Sequence, residues 1–95
     1  MLSILIPIYN FNVISLVKLI SNELITLKIE GEIICIDDAS TNKKIVEANK
    51  KIEKQKNCIY QILTENIGRS KIRNLLVSKA NYSNLLFLDC DTIPV

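Results

Sequence analysis

Two pairs of aspartates follow apolar runs in this sequence. Asp89 and Asp91 come directly after residues 84–88 (NLLFL), in the tripeptide Asp-Cys-Asp. Because residues two apart in an extended chain point to the same side, the two carboxylates could offer hard oxygen ligands to Mg²⁺ or Mn²⁺. A diphosphate and water would then complete the coordination shell. A strand that ends in a polar turn explains the same residues, since Asp is common in turns, so the tripeptide alone leaves both interpretations open.

The second acidic pair, Asp37 and Asp38, follows residues 32–36 (EIICI). Asp38 precedes a predicted helix, where backbone N–H groups could stabilise its carboxylate. It could instead accept a hydrogen bond from a ligand, such as the N–H of a uracil ring. Local hydrogen bonding to the backbone is a common role of Asp, and the pair by itself does not decide between a structural and a binding role.

Residues 65–74 (ENIGRSKIRN) lead into another predicted helix and combine one glycine with two arginines. Gly68 allows a positive φ or the close approach of a ligand, and nearby N–H groups can meet an anion. Arg69 and Arg73 are four residues apart, so they share one face of the helix. Beside a diphosphate that face would balance charge or contact the base, whereas without a ligand it is an ordinary solvated helix start.

The elements that must position these residues can be predicted from the apolar pattern. Continuous apolar runs suit strands buried on both faces, and four occur, at residues 2–8, 32–36, 58–63 and 84–88. Three segments of helical period alternate with them, at residues 13–27, around Ile45, Ala48 and Ile52, and at 70–80. The predicted N-caps are Asn12 for the first helix and Ser40 or Thr41 for the second, and Gly31 lies just past the end of the first.

This βαβαβαβ order predicts an α/β fold with a parallel sheet and right-handed crossovers. In a doubly wound sheet of this kind the first strand is central, which gives the strand order 3-2-1-4, and ligands bind at the carboxyl ends of the strands where that order reverses. The residues that follow the strands are therefore expected at one rim of the sheet: Pro7, Tyr9, Asn10, Asp37, Asp38, Asp89 and Asp91.

The composition of the 95 residues limits the other functions. A net charge of +2 does not favour nucleic acid as a partner. There is no His, and the three cysteines are far apart, which argues against a zinc site and for buried reduced thiols in a cytosolic protein. We find no signal peptide after Met1 and no apolar run near the ~20 residues of a membrane span, so a cytoplasmic location is expected. The lysines between residues 43 and 56 are interpreted as a solvated helix face.

Taken in order, the segments SILIPIYN, EIICIDDAS, ENIGRSKIRN and LLFLDCDT resemble the N-terminal region of family 2 glycosyltransferases. The resemblance covers nearly the whole chain, and it implies an inverting enzyme with the three-layer, Rossmann-like GT-A fold. Two residues depart from the family pattern: Ile72 replaces the usual Ala before the arginine, and Asn81 stands where Gly commonly follows the helix. Asn tolerates the left-handed conformation, so the second departure is mild, while the first is expected to shift Arg73 slightly.

The resemblance also implies roles for individual residues. Pro7 and Tyr9 would lie along the nucleoside and Asp38 would bind the base. The nucleotide would be flanked by Asn66, Gly68 and Arg73. Asp91 would be the principal ligand of Mn²⁺ or Mg²⁺, and Asp89 would hold the ribose or the water of the metal.

In such enzymes the metal neutralises the leaving nucleoside diphosphate, and a carboxylate deprotonates the acceptor hydroxyl. The family places that base after the Asp-x-Asp motif, and the sequence ends at Val95. Residues 1–95 are therefore expected to be a truncated, nucleotide-sugar-binding part of the domain. They would bind a nucleoside-diphosphate sugar, UDP-linked first, without transferring it to a saccharide or lipid-linked acceptor. The fourth strand would then be an unprotected sheet edge, which predicts self-association through it.

Three alternatives share some of these features. A response-regulator receiver also has an acidic pair and an Asp at a strand end, although its pair follows the first strand. A phosphatase of the haloacid dehalogenase type has an Asp-x-Asp-x-Thr motif, in which the Thr stands one residue later than Thr92 does here. A non-catalytic α/β interaction domain would need none of these residues for chemistry.

Overall fold

Four parallel strands carry the apolar runs. The computed structural model describes residues 1–89, and Cys90 and Asp91 lie outside them. The strands are β1 (Leu2–Ile8), β2 (Gly31–Asp37), β3 (Cys58–Ile62) and β4 (Asn84–Phe87). They form one sheet in the order β3-β2-β1-β4, and every pairing is parallel. The predicted α/β fold and strand order are confirmed.

The helices cover both faces of the sheet, which makes three layers. They are α1 (Ile14–Thr26), α2 (Lys43–Asn49) and α3 (Arg69–Lys79), and a short 3₁₀ helix (Lys50–Lys54) follows α2 directly. Alternate residues of β1 and β2 face opposite layers. Side chains such as Ile6 and Cys35 pack with α1 and Ile52, whereas Leu5 and Ile34 pack against α3. Both faces of the central strands are therefore buried, as continuous apolar runs require.

Two of the predicted helix boundaries are wrong in detail. Asn42 caps α2 in place of Ser40 or Thr41, because its Oδ1 accepts a hydrogen bond of 3.2 Å from Ile45 N. At the end of α1 the left-handed residue is Lys28, with a φ of 55°, and Gly31 is instead the first residue of β2. A Cβ at Gly31 would lie 2.9 Å from the carbonyl oxygen of Leu2, so close pairing of β1 and β2 explains this glycine.

The predicted cap of α1 is close to the observed one. The helix begins at Ile14, and Oδ1 of Asn12 accepts a hydrogen bond of 3.1 Å from Ile14 N.

The six lysines between residues 43 and 56 are exposed, as a solvated helix face requires. Cys35 and Cys58 are buried free thiols, and burial raises the pKa of Cys58 to about 11. Within residues 1–89, none of the helices has the length and apolar character needed to cross a membrane.

The buried carboxylate of Glu32 links the segment before β4 to β1 and β2. Glu32 accepts hydrogen bonds from Ser3 Oγ at 2.6 Å and from both the backbone N and Nδ2 of Asn81 at 2.7 Å. Ser3 Oγ in turn accepts from Tyr82 N at 3.2 Å. Burial alone would raise the pKa of Glu32, but the hydrogen bonds from Ser3 and Asn81 lower it below its ordinary value. These hydrogen bonds hold the segment that connects α3 to β4, and they therefore fix the position of β4 in the sheet.

Candidate nucleotide-binding site

A cavity of about 550 Å³ opens at the carboxyl ends of the strands. Its lining comes from the end of β1 and the segment that follows it, from the residues after β2 and β4, and from the loop before α3 and the first turn of α3. The lining residues are Pro7, Ile8, Tyr9, Phe11, Asp38, Asn66, Gly68, Arg69, Ile72 and Asp89. The cavity thus lies at the carboxyl ends of β1 and β4, between which the strand order reverses, as the sequence predicts for a ligand site.

Asp38 joins the end of β2 to the loop before α3. Its side chain is only 6% exposed, and Oδ1 accepts a hydrogen bond from Ile67 N at 2.7 Å while Oδ2 accepts from Gly68 N at 3.0 Å. Asn66 Nδ2 donates to the backbone oxygen of Asp38 at 3.2 Å. A carboxylate has about four acceptor positions, so these contacts leave acceptor capacity for a ligand. Backbone N–H groups thus hold Asp38, but they belong to the loop before α3 and not to the following helix as predicted, and Asp38 also lines the cavity.

Asp37 has a different environment, although it is the neighbouring residue. Its side chain is fully buried; Oδ2 accepts a hydrogen bond from the hydroxyl of Tyr60, and Oδ1 accepts one of 2.7 Å from Ser40 N. Burial raises the pKa of Tyr60, and the hydrogen bond to Asp37 raises it further. Asp37 does not line the cavity; it fixes the turn after β2, so only one member of the acidic pair can meet a ligand there.

The turn after β1 is locked to the turn after β2. Asn10 N donates to Ser40 Oγ at 2.7 Å, and Asn10 Oδ1 accepts from Thr41 N at 2.9 Å and from Asn42 N at 3.0 Å. Asn10 and Ala39 both have a positive φ, of 50° and 60°, a conformation that costs a non-glycine residue free energy and persists only where the surroundings enforce it. The hydrogen bonds supply that enforcement, and they hold Tyr9 at the cavity.

Asn49 holds the segment after β1 in place, and this role was not predicted from the sequence. It is fully buried in α2, where its Oδ1 accepts from Val13 N and its Nδ2 donates to the backbone oxygen of Phe11, each at 2.9 Å. The signal was present: Asn49 stands between Ile45 and Ile52 at helical spacing, a polar residue where the apolar stripe continues. A buried polar side chain at such a position needs partners, and here the partners are backbone groups of the segment that carries Phe11.

The loop before α3 brings Gly68 and Arg69 to the cavity. Gly68 has a φ of 86°, and a Cβ placed there would meet no atom within 4 Å, so this side of the cavity is open. Arg69 lines the cavity, but Arg73 does not. The guanidinium carbon of Arg73 lies 4.1 Å from the centroid of the Phe87 ring, a cation–π contact with β4. The structure thus places Arg69, not the predicted Arg73, where a ligand can meet a cation.

The other predicted site residues fall into two groups: those that line the cavity, and one that lies outside the described residues. Those that the structure brings together around the cavity are Pro7, Tyr9, Asp38, Asn66, Gly68 and Asp89. Asp91, the predicted metal ligand, lies outside the described residues. Within residues 1–89, no three His, Cys, Asp or Glu side chains cluster as a cation site. Asp89 is exposed at the cavity, and a single hard oxygen ligand of this kind suits a Mg²⁺ or Mn²⁺ ion that also binds phosphate and water.

A cavity at the switch point of a doubly wound parallel sheet is the place where α/β domains bind nucleotides. The chain belongs to glycosyl transferase family 2, whose family model matches residues 3–94. This match confirms the resemblance recognised in the sequence, and it favours that hypothesis over a receiver, a phosphatase or a plain interaction domain. No curated protein matches the sequence.

Solved structures of S. aureus TarS are similar to the chain. One has a TM-score of 0.66 and 28% identity, and the similarity covers 95% of this chain and 16% of that one. TarS 1–349 in complex with UDP-GlcNAc has a TM-score of 0.67 and 28% identity, with 95% of this chain and 26% of that chain covered. TarS 1–349 in complex with UDP has a TM-score of 0.63 and 26% identity, covering 95% and 27%. The chain thus spans about a quarter or less of these structures.

Proposed function

We propose that residues 1–95 bind the donor of a glycosyltransferase, a nucleoside-diphosphate sugar with UDP as the first candidate. The observation that carries the proposal is the cavity at the switch point, in which Asp38 presents a carboxylate beside the aromatic rings of Tyr9 and Phe11. Family membership supports the reaction class. The solved complexes of TarS with UDP-GlcNAc and UDP support the ligand class, because 95% of this chain is similar to part of each of these structures.

The residues of the cavity suit the base of a nucleoside in two ways. Tyr9 is 51% exposed, so its ring is available for stacking on a base, an arrangement that aromatic side chains favour. Asp38 is fixed by the amides of Ile67 and Gly68, and its remaining acceptor positions suit the N–H of a pyrimidine. Because the loops are already hydrogen-bonded to each other, little ordering of the protein would oppose binding.

The metal, the acceptor and the stereochemistry follow from the same proposal. Asp89 and Asp91 are the proposed ligands of Mn²⁺ or Mg²⁺, which when bound would neutralise charge on the leaving diphosphate. The proposed reaction is hexosyl transfer with inversion to a hydroxyl of a saccharide or lipid-linked acceptor, in the cytoplasm. No residue between 1 and 89 is assigned the removal of the acceptor proton, so nucleotide binding without sugar transfer is the proposed activity of residues 1–95.

Calorimetric titration with UDP, with and without Mn²⁺, tests this function. We expect Asp38→Ala to weaken UDP binding in either condition and Asp91→Asn to remove only the effect of Mn²⁺. The exposed carboxylate of Glu23 on α1 provides a matched control, because Glu23→Gln should bind UDP as the wild type does. No binding of UDP by the wild type would refute the proposed ligand. Equal binding by the wild type and Asp91→Asn in Mn²⁺ would refute the proposed metal ligand.

A further inference from the structure

The cavity holds one cationic side chain among its described lining residues. Asp38 and Asp89 contribute carboxylates, and Arg69 contributes the guanidinium group. The two acids do not affect a ligand equally, because Asp38 already accepts hydrogen bonds from two backbone amides. An anionic ligand entering this cavity would therefore meet Arg69 as its nearest opposite charge among residues 1–89.

Arg73 is the other arginine of α3, and it is engaged elsewhere. Its guanidinium group stacks on Phe87. Four residues along a helix correspond to a rise of about 6 Å, so Arg69 and Arg73 are at different depths although they share a helical face. Arg69 is the first residue of α3 and stands at the cavity, whereas Arg73 lies one turn further along, beside β4. The shared face therefore does not give the two arginines the same role.

The backbone at Arg69 is held close to the carboxylate of Asp38. Gly68 N donates to Asp38 Oδ2 at 3.0 Å, and Arg69 is the next residue in the chain. A Cβ at Gly68 would meet no atom within 4 Å, so the backbone beside Arg69 leaves room for a ligand group in the cavity. Guanidinium groups form strong, charge-assisted hydrogen bonds with phosphate oxygens. A ligand whose base is held by Asp38 would thus have a phosphate-binding side chain in the same cavity.

We propose that Arg69 recognises the diphosphate of the nucleotide, and that it determines the preference of this site for a phosphorylated nucleoside over the free nucleoside. This inference rests on the proposed function. Arg69 is a specificity-determining residue in this role, because the base contacts remain those of Asp38 and the aromatic side chains. Removing its charge should weaken binding of the diphosphate and leave binding of the nucleoside unchanged.

The experiment compares uridine with UDP in the presence of EDTA, so that a divalent metal does not bridge the phosphates. Titrations are made with the wild type, Arg69→Gln, Arg69→Lys and Arg73→Gln, with Lys71→Gln as the matched control. Lys71 is an exposed cation two residues away that does not line the cavity. We expect Arg69→Gln to weaken UDP by about tenfold, the loss of one charge-assisted hydrogen bond at an accessible site. Uridine should bind unchanged, Arg69→Lys should recover part of the loss, and Lys71→Gln should match the wild type.

Several outcomes overturn the inference. Unchanged UDP binding by Arg69→Gln, or an equal loss for uridine and UDP, would show that Arg69 does not recognise the phosphates. The inference also fails if Arg73→Gln, and not Arg69→Gln, loses the preference for UDP. A wild type that binds uridine and UDP equally refutes the inference but leaves the proposed nucleoside site standing. A wild type that binds neither uridine nor UDP in EDTA, but binds UDP in Mn²⁺, refutes this inference alone. A wild type that binds neither of them in either condition refutes the proposed function and this inference together.

Discussion

Replacing Asp38 by Asn tests whether this carboxylate organises the site before any ligand arrives. In the wild type the two carboxylate oxygens accept hydrogen bonds from different amides, Ile67 N at 2.7 Å and Gly68 N at 3.0 Å. An Asn side chain has the same shape but only one acceptor oxygen. Its NH₂ group must therefore face one of the two backbone N–H groups, and one of the two hydrogen bonds is lost.

The magnitude follows from the burial of the group. Asp38 is 6% exposed, so water cannot easily replace the missing partner. A hydrogen bond to a charged acceptor contributes about 1.5–3 kcal/mol, and an unsatisfied buried donor costs about 1–3 kcal/mol. We expect Asp38→Asn to lower the free energy of unfolding by about 2 kcal/mol. With a denaturant dependence of about 2 kcal/mol per molar urea, the unfolding midpoint should fall by about 1 M.

Urea unfolding of the ligand-free chain, followed by circular dichroism, measures this change. Asp89→Asn is the matched control, because it makes the same chemical change at an exposed residue of the same cavity. An exposed substitution of this kind should change the free energy of unfolding by less than about 0.5 kcal/mol. If Asp38→Asn and Asp89→Asn unfold at the same urea concentration, Asp38 does not hold the loop before α3, and the reasoning is wrong.

Three further predictions concern other parts of the molecule. The hydrogen bonds of Glu32 lower its pKa below the ordinary value that it has in the unfolded chain. They therefore stabilise the fold fully above that unfolded pKa and lose this effect as the pH falls through the lowered folded pKa. Urea midpoints measured across that acidic range should therefore fall less steeply in Glu32→Gln than in the wild type. Asn49→Ala leaves two backbone groups without their buried partner and should cost about 2–4 kcal/mol in thermal unfolding, whereas Ala at the exposed Asn22 should cost little. Leu86 is 43% exposed in β4, which is an edge strand of the sheet formed by residues 1–89. Residues 1–95 should therefore self-associate through that edge, and Leu86→Lys should reduce the association; a monomeric wild type in sedimentation at micromolar concentration would contradict this.

The order of the strands could be predicted because it depends on patterns that span the whole chain. Continuous apolar runs separated by helical segments leave few topologies, and β1 is central in the observed sheet. Because ligands of such sheets bind at the carboxyl ends of the strands, the residues after β1, β2 and β4 could be placed near one another from the sequence alone. Proline, aromatic and acidic residues at those ends do line one cavity.

The roles of neighbouring residues could not be predicted in the same way, because they depend on which layer each side chain faces. Asp37 continues the series of Ile33 and Cys35 on the α1 side of β2, so it meets Tyr60. Asp38 is the next residue and turns toward the loop before α3. The sequence would show two adjacent acids whichever layer each side chain faced. Their separation requires knowing that a tyrosine hydroxyl of β3 lies under one of them.

The arginines of α3 illustrate a second limit. Helical spacing correctly puts Arg69 and Arg73 on one face, but it does not say how far along that face the cavity extends. The answer depends on Phe87, which comes from β4 and stacks on Arg73. A local sequence pattern does not show contacts between elements that are distant in the chain, and this part of the site depends on such contacts.

The central position of β1 has a consequence for the order in which the chain folds. Leu2 pairs with Gly31 in β2 and with Asn84 in β4, so one edge of β1 finds its partner early in synthesis and the other edge must wait. Closing the longer loop costs more entropy unless the intervening elements are already compact. We therefore expect β1, β2 and β3 to associate first, with the Asp38 loop among them, and β4 to dock last. The wall that carries Asp89 would then be the final part of the cavity to form.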